Sequence, residues 1–216
     1  MARIVIIGGH GKVGLLLAPL LVAAGDEVTS IFRNPDHSAE VAATGARPVV
    51  ADVEKLDTEA IAALLAGHDA VVWCAGAGGG SPERTYAVDR DAAIRSMDAA
   101  AEAGVRRYVM VSYFGAGPDH GVPADNGFFP YAEAKSAADA HLAGTALEWT
   151  ILRPSRLTTD APTGLIETSA QGAASGAVSR ADVAATVAAV LANPDTRGAT
   201  IEFNNGGTPI ASALVP

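Results

Sequence analysis

The sequence contains one cysteine, Cys74, in 216 residues. No internal disulfide can form, which points to a reducing compartment, the cytoplasm. Its expected role is a small apolar group in a strand. Aromatic residues are scarce at 5% and charged residues make up only 18%, whereas glycine alone accounts for 23 positions. A chain rich in alanine and valine and poor in large rings suits helices packed closely on a parallel sheet. Positive charge is also in deficit, with a formal net charge of −9. That balance argues against nucleic acid or an anionic membrane as the main partner, because both attract a basic face. No apolar run reaches the length that crosses a bilayer, and the first strand begins too early to leave room for a signal peptide. The five histidines, His10, His37, His68, His120 and His141, share no metal-ligand spacing with one another or with Cys74, so no metal is expected. A chain of this length is expected to bury one core, in a single domain over 1–216.

What is present starts at residue 3. Arg3-Ile4-Val5-Ile6-Ile7 leads into Gly8-Gly9-His10-Gly11-Lys12-Val13-Gly14, with glycines three apart at 8, 11 and 14, and an apolar run follows from Leu15 to Leu21. This pattern reads as a buried strand, a tight turn and the start of a helix. A pyrophosphate fits such a turn because no side chains intrude and the helix N-terminus offers free N–H groups and a positive dipole end. A glycine pattern placed between a strand and a helix is far more specific than one found alone.

Strand-like and helix-like segments alternate through the rest of the chain. Strands are predicted at 4–7, 27–32, 47–51, 70–74, 107–112, 148–152 and 200–204. Helices are predicted at 13–24, 34–44, 57–65, 82–103, 131–143 and 180–192. Alternation with short links specifies right-handed βαβ units and one α/β, Rossmann-type doubly wound parallel sheet in the order 3-2-1-4-5-6-7. The ligand crevice is then expected at the carboxyl ends of strands 1 and 4. Two long loops, 115–130 and 154–178, leave carboxyl ends of strands. They are the only material available to shape a substrate region.

Several residues at strand ends carry chemistry. The second strand ends Ile31-Phe32-Arg33-Asn34, without the carboxylate that usually bonds the ribose 2′-hydroxyl of NAD. A cation there suits the 2′-phosphate of NADP, so NADP is favoured over NAD, with Lys12 as a second candidate contact. Both residues also fit as ordinary solvated charges. Asp52, followed by Val53, is placed either to bond the adenine amino group or to cap the next turn. The small residues Ala75-Gly76-Ala77-Gly78-Gly79-Gly80 let the backbone approach the cofactor's ribose and phosphates, although a flexible turn would look the same. Tyr131 and Lys135, at i and i+4, lie on one helix face. A nearby ammonium lowers a phenol's pKa, so a tyrosine placed there can exchange a proton with a carbonyl or alcohol, and the lysine can hold the nicotinamide ribose. Ser112, at the end of the fifth strand, can orient the reacting oxygen. Pro154 stops the sixth strand beside the expected nicotinamide position. Tyr113, Phe128, Phe129 and Leu157 are candidate apolar walls, while Tyr108 reads as core. Arg180 and Asp182 read as a helix cap and a partner for a loop.

Taken together these residues resemble the short-chain dehydrogenase/reductase superfamily, in its atypical single-domain branch of NmrA-like and sugar-epimerase-like NAD(P)-binding proteins. The resemblance rests on the glycine turn, Arg33-Asn34-Pro35, Asp52-Val53, Tyr131-Ala132-Glu133-Ala134-Lys135, Ile151-Leu152-Arg153-Pro154 and Ser179-Arg180-Ala181-Asp182-Val183-Ala184. It implies that Gly8, Gly11, Arg33, Asp52 and Ala75 bind the dinucleotide; His10, Lys12, Val13, Val53, Gly76, Lys135 and Pro154 are expected to complete the cofactor site. It also implies Tyr131 as general acid/base, Lys135 as its partner and Ser112 as carbonyl orienter. The expected activity is hydride transfer between nicotinamide and a small carbonyl or alcohol substrate. The alternatives are an NAD(P)-sensing regulator without turnover and a flavin or quinone reductase. Relatives occur as monomers and homodimers. Two departures stand out. His10 occupies a position where relatives commonly have a smaller residue, and the C-terminal lobe that grips nucleotide sugars is missing.

Overall fold

In a computed structural model, residues 1–79 and 81–214 are described; Gly80, the last of the predicted small-residue run, lies outside them. The first half of the chain alternates strand and helix. The elements are β1 (Arg3–Ile7), α1 (Gly14–Ala23), β2 (Glu27–Phe32), α2 (Ser38–Ala43), β3 (Arg47–Val50), α3 (Thr58–Leu65) and β4 (Ala70–Trp73). The predicted 82–103 helix exists but is not uniform. It runs as α4 (Pro82–Thr85), a π-helical stretch (Tyr86–Ala92) and α5 (Ala93–Glu102). Such wide turns inside a helix are frequent at functional sites. After β5 (Arg107–Val111), α6 (Phe129–Ala143) and β6 (Glu148–Pro154), the chain forms three short strands, β7 (Arg156–Thr158), β8 (Leu165–Thr168) and β9 (Ala177–Ser179). It ends in α7 (Arg180–Ala192), β10 (Ala199–Asn205), β11 (Thr208–Pro209) and α8 (Ile210–Ala213).

The main sheet has the order β11-β8-β10-β6-β5-β4-β1-β2-β3. From β3 to β10 every neighbouring pair is parallel. The predicted order 3-2-1-4-5-6-7 therefore stands, with β10 as the seventh predicted strand. The order reverses between β1 and β4, which opens a crevice beyond their carboxyl ends.

The prediction of 154–178 as one long loop needs correction. β8 pairs antiparallel with β10, Phe203 opposite Thr168, and β11 pairs with β8 in turn. β7 and β9 form a separate two-stranded parallel ribbon. Strands of three or four residues are too short to leave a periodic pattern. Asp182 ties this region down: its carboxylate accepts the Thr163 and Gly164 amides at 3.0 and 2.8 Å and the Ser179 hydroxyl at 2.8 Å. Burial pulls the Asp182 carboxyl up, but these hydrogen bonds, with one from Asn205, outweigh it and hold the group below the usual range.

Alternate residues of the strands supply two cores. Ile4, Ile6, Val72, Val109 and Leu152 face α1 and α7 through Leu17, Leu21, Val183 and Val187. Val5, Ile7, Val71, Trp73, Met110 and Ile151 face α3, α5 and α6 through Ile61, Leu65, Met97 and Ala138. A strand buried on both faces reads as a continuous apolar run, which explains why β1 and β4 stand out in the sequence.

Candidate active site

The turn after β1 is held by a close approach to the neighbouring strands. Gly8 has φ +92°, and a Cβ there would lie 2.5 Å from the Ala75 amide nitrogen; one on Gly14 would lie 2.7 Å from the Gly8 carbonyl oxygen. The Gly8 and Gly9 amides donate to the Ile31 carbonyl, and Gly11 donates back to Gly8. The amides of His10, Lys12, Val13 and Gly14 have no acceptor among the described residues, and no side chain caps α1. Four unpaired donors at a helix N-terminus, in a turn that excludes side chains, form an anion cradle. The residues present therefore fit a dinucleotide's diphosphate.

Around this cradle lies a cavity of about 590 Å³. Its lining includes Gly8, His10, Gly11, Lys12, Val13, Arg33, Asp52, Val53, Ala75 and Gly76, all predicted to bind cofactor. Lys12 and Arg33 are exposed. His10, whose role the sequence left open, stacks on His37 with ring centroids 3.5 Å apart and 14° between planes. Its Nε2 lies 2.8 Å from Glu40 Oε2, so it ties the glycine turn to α2. The Asp52 side chain is engaged locally, accepting the Glu54 amide at 3.3 Å and lying 3.3 Å from Lys55 Nζ. Asp52 thus caps the turn while lining the cavity. Arg95 braces the same loop by donating to the Val53, Glu54 and Leu56 carbonyls. Pro154 is buried at the end of β6 and lines neither cavity; Leu157 in β7 lines both.

A second cavity, of about 670 Å³, continues from the first and shares Val13, Cys74, Ala75, Gly76, Gly78 and Leu157 with it. Ser112, Tyr131 and Lys135 line it, so the fold brings together three residues from β5's end and α6. Phe128 forms a wall, and its ring contacts Tyr113 and Tyr131 with centroids 5.2 Å away in each case. Phe129 turns away instead, against His120. Tyr108 is core, as expected, bonded to the Ser96 hydroxyl at 2.7 Å. Cys74 sits one residue past β4, and burial pushes its thiol up to about 12.

Lys135 is engaged within the protein. It is buried, and its Nζ donates to the Val111 carbonyl at 2.8 Å. Burial pulls its ammonium down, while the Asp89 and Asp139 carboxylates push it back up. Tyr131, in contrast, is held well above the ordinary phenol range, first by burial and then by Asp89, Asp139 and Tyr113. Its phenol is thus neutral at pH 7, a proton donor. The sequence reading missed both carboxylates. Asp139 carried a signal, since Tyr131, Lys135 and Asp139 are spaced i, i+4, i+8 along one helix face. Asp89 lies in the π-helical stretch and accepts the Ala77 amide at 3.0 Å, which nothing in its surroundings in sequence announces.

Comparison with known proteins agrees with this geometry. Residues 8–194 match the model of a family described as NAD(P)H-binding. The chain belongs to the NAD(P)H-binding family. Among its relatives is a Bacillus subtilis (strain 168) protein named as an uncharacterized sugar epimerase, YhfK, 35% identical over 98% of both chains. A solved structure from Bacillus halodurans, provisionally named as an NAD-dependent epimerase/dehydratase, is 31% identical over 99% of each chain, with a TM-score of 0.91. The oxidoreductase ylbE from Lactococcus lactis is 30% identical, over 98% of this chain and 94% of its own, with a TM-score of 0.87. The family is one of nicotinamide-nucleotide-binding, oxidoreductase- and epimerase-like proteins on a Rossmann-type fold. No helix among the described residues is long and apolar enough to cross a membrane, and no group of three metal-ligating side chains occurs among them.

Proposed function

We propose that the chain is a cytoplasmic NADP(H)-dependent oxidoreductase of the short-chain dehydrogenase/reductase type, acting on a small carbonyl or alcohol with Tyr131 as general acid/base. The continuity of the two cavities carries this reading. One has an anion cradle and exposed cations, the other a neutral phenol and a serine hydroxyl, and they share six wall residues. Bound NADPH would supply hydride to the carbonyl carbon. Tyr131 gives its proton to the carbonyl oxygen, so the neutral phenol favours the reductive direction. Arg33, exposed at the end of β2 with no carboxylate beside it in that strand, supports NADP over NAD. Phe128, Leu157, Pro82 and Pro130 give the substrate end an apolar wall, and the charged residues there, Asp89 and Lys135, are buried and offset each other. An uncharged substrate follows, not a nucleotide sugar.

A sensor without turnover is the second reading, favoured by Lys135 facing two carboxylates rather than activating the phenol. NADPH oxidation with a panel of neutral aldehydes and ketones separates the two. The wild type is expected to reduce some of them, and Tyr131→Phe to lose about 10²–10⁴-fold in rate with NADPH affinity unchanged. NADPH binding without oxidation by any carbonyl overturns the enzyme in favour of the sensor. Full activity in Tyr131→Phe moves the assignment to direct hydride transfer onto a flavin or quinone ring.

A further inference from the structure

Behind the substrate end of the cleft lies a buried cluster that no contact with cofactor or substrate explains. Asp139 is 2% exposed and lines neither cavity. Its Oδ2 accepts the Ser112 hydroxyl at 2.8 Å and the Arg153 Nε at 3.0 Å. Its Oδ1 is buried with no hydrogen-bond partner among the described residues. Arg153 is held in turn by Glu202, 3.5 Å from its guanidinium. A buried carboxylate left half unsatisfied is costly, and this one lies where it meets Ser112 and Lys135 together.

We propose that Asp139 is the positioning residue of this site, aiming the Ser112 hydroxyl away from the cavity and fixing its oxygen as an acceptor there. The inference rests on the oxidoreductase reading for its consequence in turnover, but its geometry stands apart from it. Because the Ser112 proton is committed to Asp139, the Ser112 oxygen faces the cavity as an acceptor only. It can therefore accept from a hydroxyl-bearing product but cannot donate to a carbonyl, so the part of carbonyl donor falls to Tyr131. Bound NADPH would supply the hydride to the carbonyl carbon; Tyr131 would give its proton to the carbonyl oxygen and regain one from water.

The charges around Tyr131 come from every neighbouring element. Asp89 comes from the π-helical stretch, Asp139 from α6 and Tyr113 from the segment after β5; Arg153 of β6 and Glu133 of α6 act on Tyr113 beside it. The Cys74 thiol lies against Lys135. Arg84 of α4 is engaged elsewhere, on the Ala77 carbonyl and Glu54. Asp89 and Asp139 both act to keep the proton on Tyr131.

Two measurements test the proposal, one of them without turnover. The first is ultraviolet difference titration of the phenols, referred to the same protein carrying Tyr131→Phe. In Asp139→Asn the ionisation of Tyr131 is expected about one pH unit lower than in the wild type, since a like charge has gone. Arg153→Gln, which uncovers the Asp139 charge, is expected to shift it the opposite way and serves alone if Asp139→Asn does not fold. The second is the pH profile of carbonyl reduction, whose alkaline limb should move with the titration. Ser112→Ala and Asp139→Asn should also be non-additive in kcat, with KM for NADPH within twofold of the wild type. Tyr131 titrating alike in all variants overturns the inference. Shifted titrations in a protein that reduces no carbonyl overturn the oxidoreductase reading and leave the role of Asp139 intact.

Discussion

At the nucleotide end of the cleft Arg33 and Lys12 stand exposed, whereas at the substrate end Lys135, Asp89 and Asp139 are buried and offset one another. The two ends handle charge by different physics. A free cation beside open backbone amides recognises an anion brought from solution, at modest cost because water already solvates it. A buried ammonium offset by two carboxylates has most of its charge already answered within the protein. On the proposed function, binding falls to the groups that are uncommitted and proton transfer to the end whose partners are fixed.

The comparison breaks most readily at the turn that joins the two ends. Gly8→Ala puts a methyl group 2.5 Å from the Ala75 amide at φ +92°, with backbone rather than a movable side chain in its way. The expected loss is about 1–3 kcal/mol, a fall in melting temperature of about 2–12 °C, together with NADPH binding. A variant that melts and binds like the wild type would mean that the close approach of β1 and β4 does not shape the cradle.

Next in size is Arg33→Ala, which removes a charge-assisted contact from the nucleotide end alone. NADPH affinity should fall roughly ten- to hundredfold by calorimetry, with NADH within twofold. Equal losses for both nucleotides would show that Arg33 does not read the 2′-phosphate. The smallest effect sharpens the contrast without mutation. Raising ionic strength from about 0.1 to about 1 M shortens the screening length from about 10 to about 3 Å. NADPH affinity is expected to drop several-fold, while the alkaline limb of the reduction profile stays in place because its charges are buried. A limb that moves with salt would place those charges in solvent.

The nucleotide end was the more legible in sequence because it is local. Gly8 to Gly14 is one strand–turn–helix unit, and Arg33 follows one strand later, so adjacency in sequence already implies adjacency in space. The central strands β1 and β4 were legible for a related reason: strands buried on both faces read as continuous apolar runs. At the substrate end, Tyr131 and Lys135 were found through helical spacing, and the same spacing extended one step reaches Asp139. The environment of that helix face was not readable. Asp89 is 46 residues from Lys135 in the chain, and only the packing of the π-helical stretch on α6 makes them partners. Tyr131 is held up instead of lowered, first by its burial and then by the two unseen carboxylates. β8 and β11 were missed because strands of two to four residues carry too few side chains to show a period.

The central claim is that the turn after β1 offers uncommitted amides to a dinucleotide's diphosphate. Titration of isotope-labelled protein with NADPH, followed through the backbone amide resonances, tests it directly. The account predicts that the largest shifts fall on His10, Lys12, Val13 and Gly14, with Gly8 and Gly9, already bonded to Ile31, moving less. Saturable NADPH binding that leaves those four resonances where they were would contradict it.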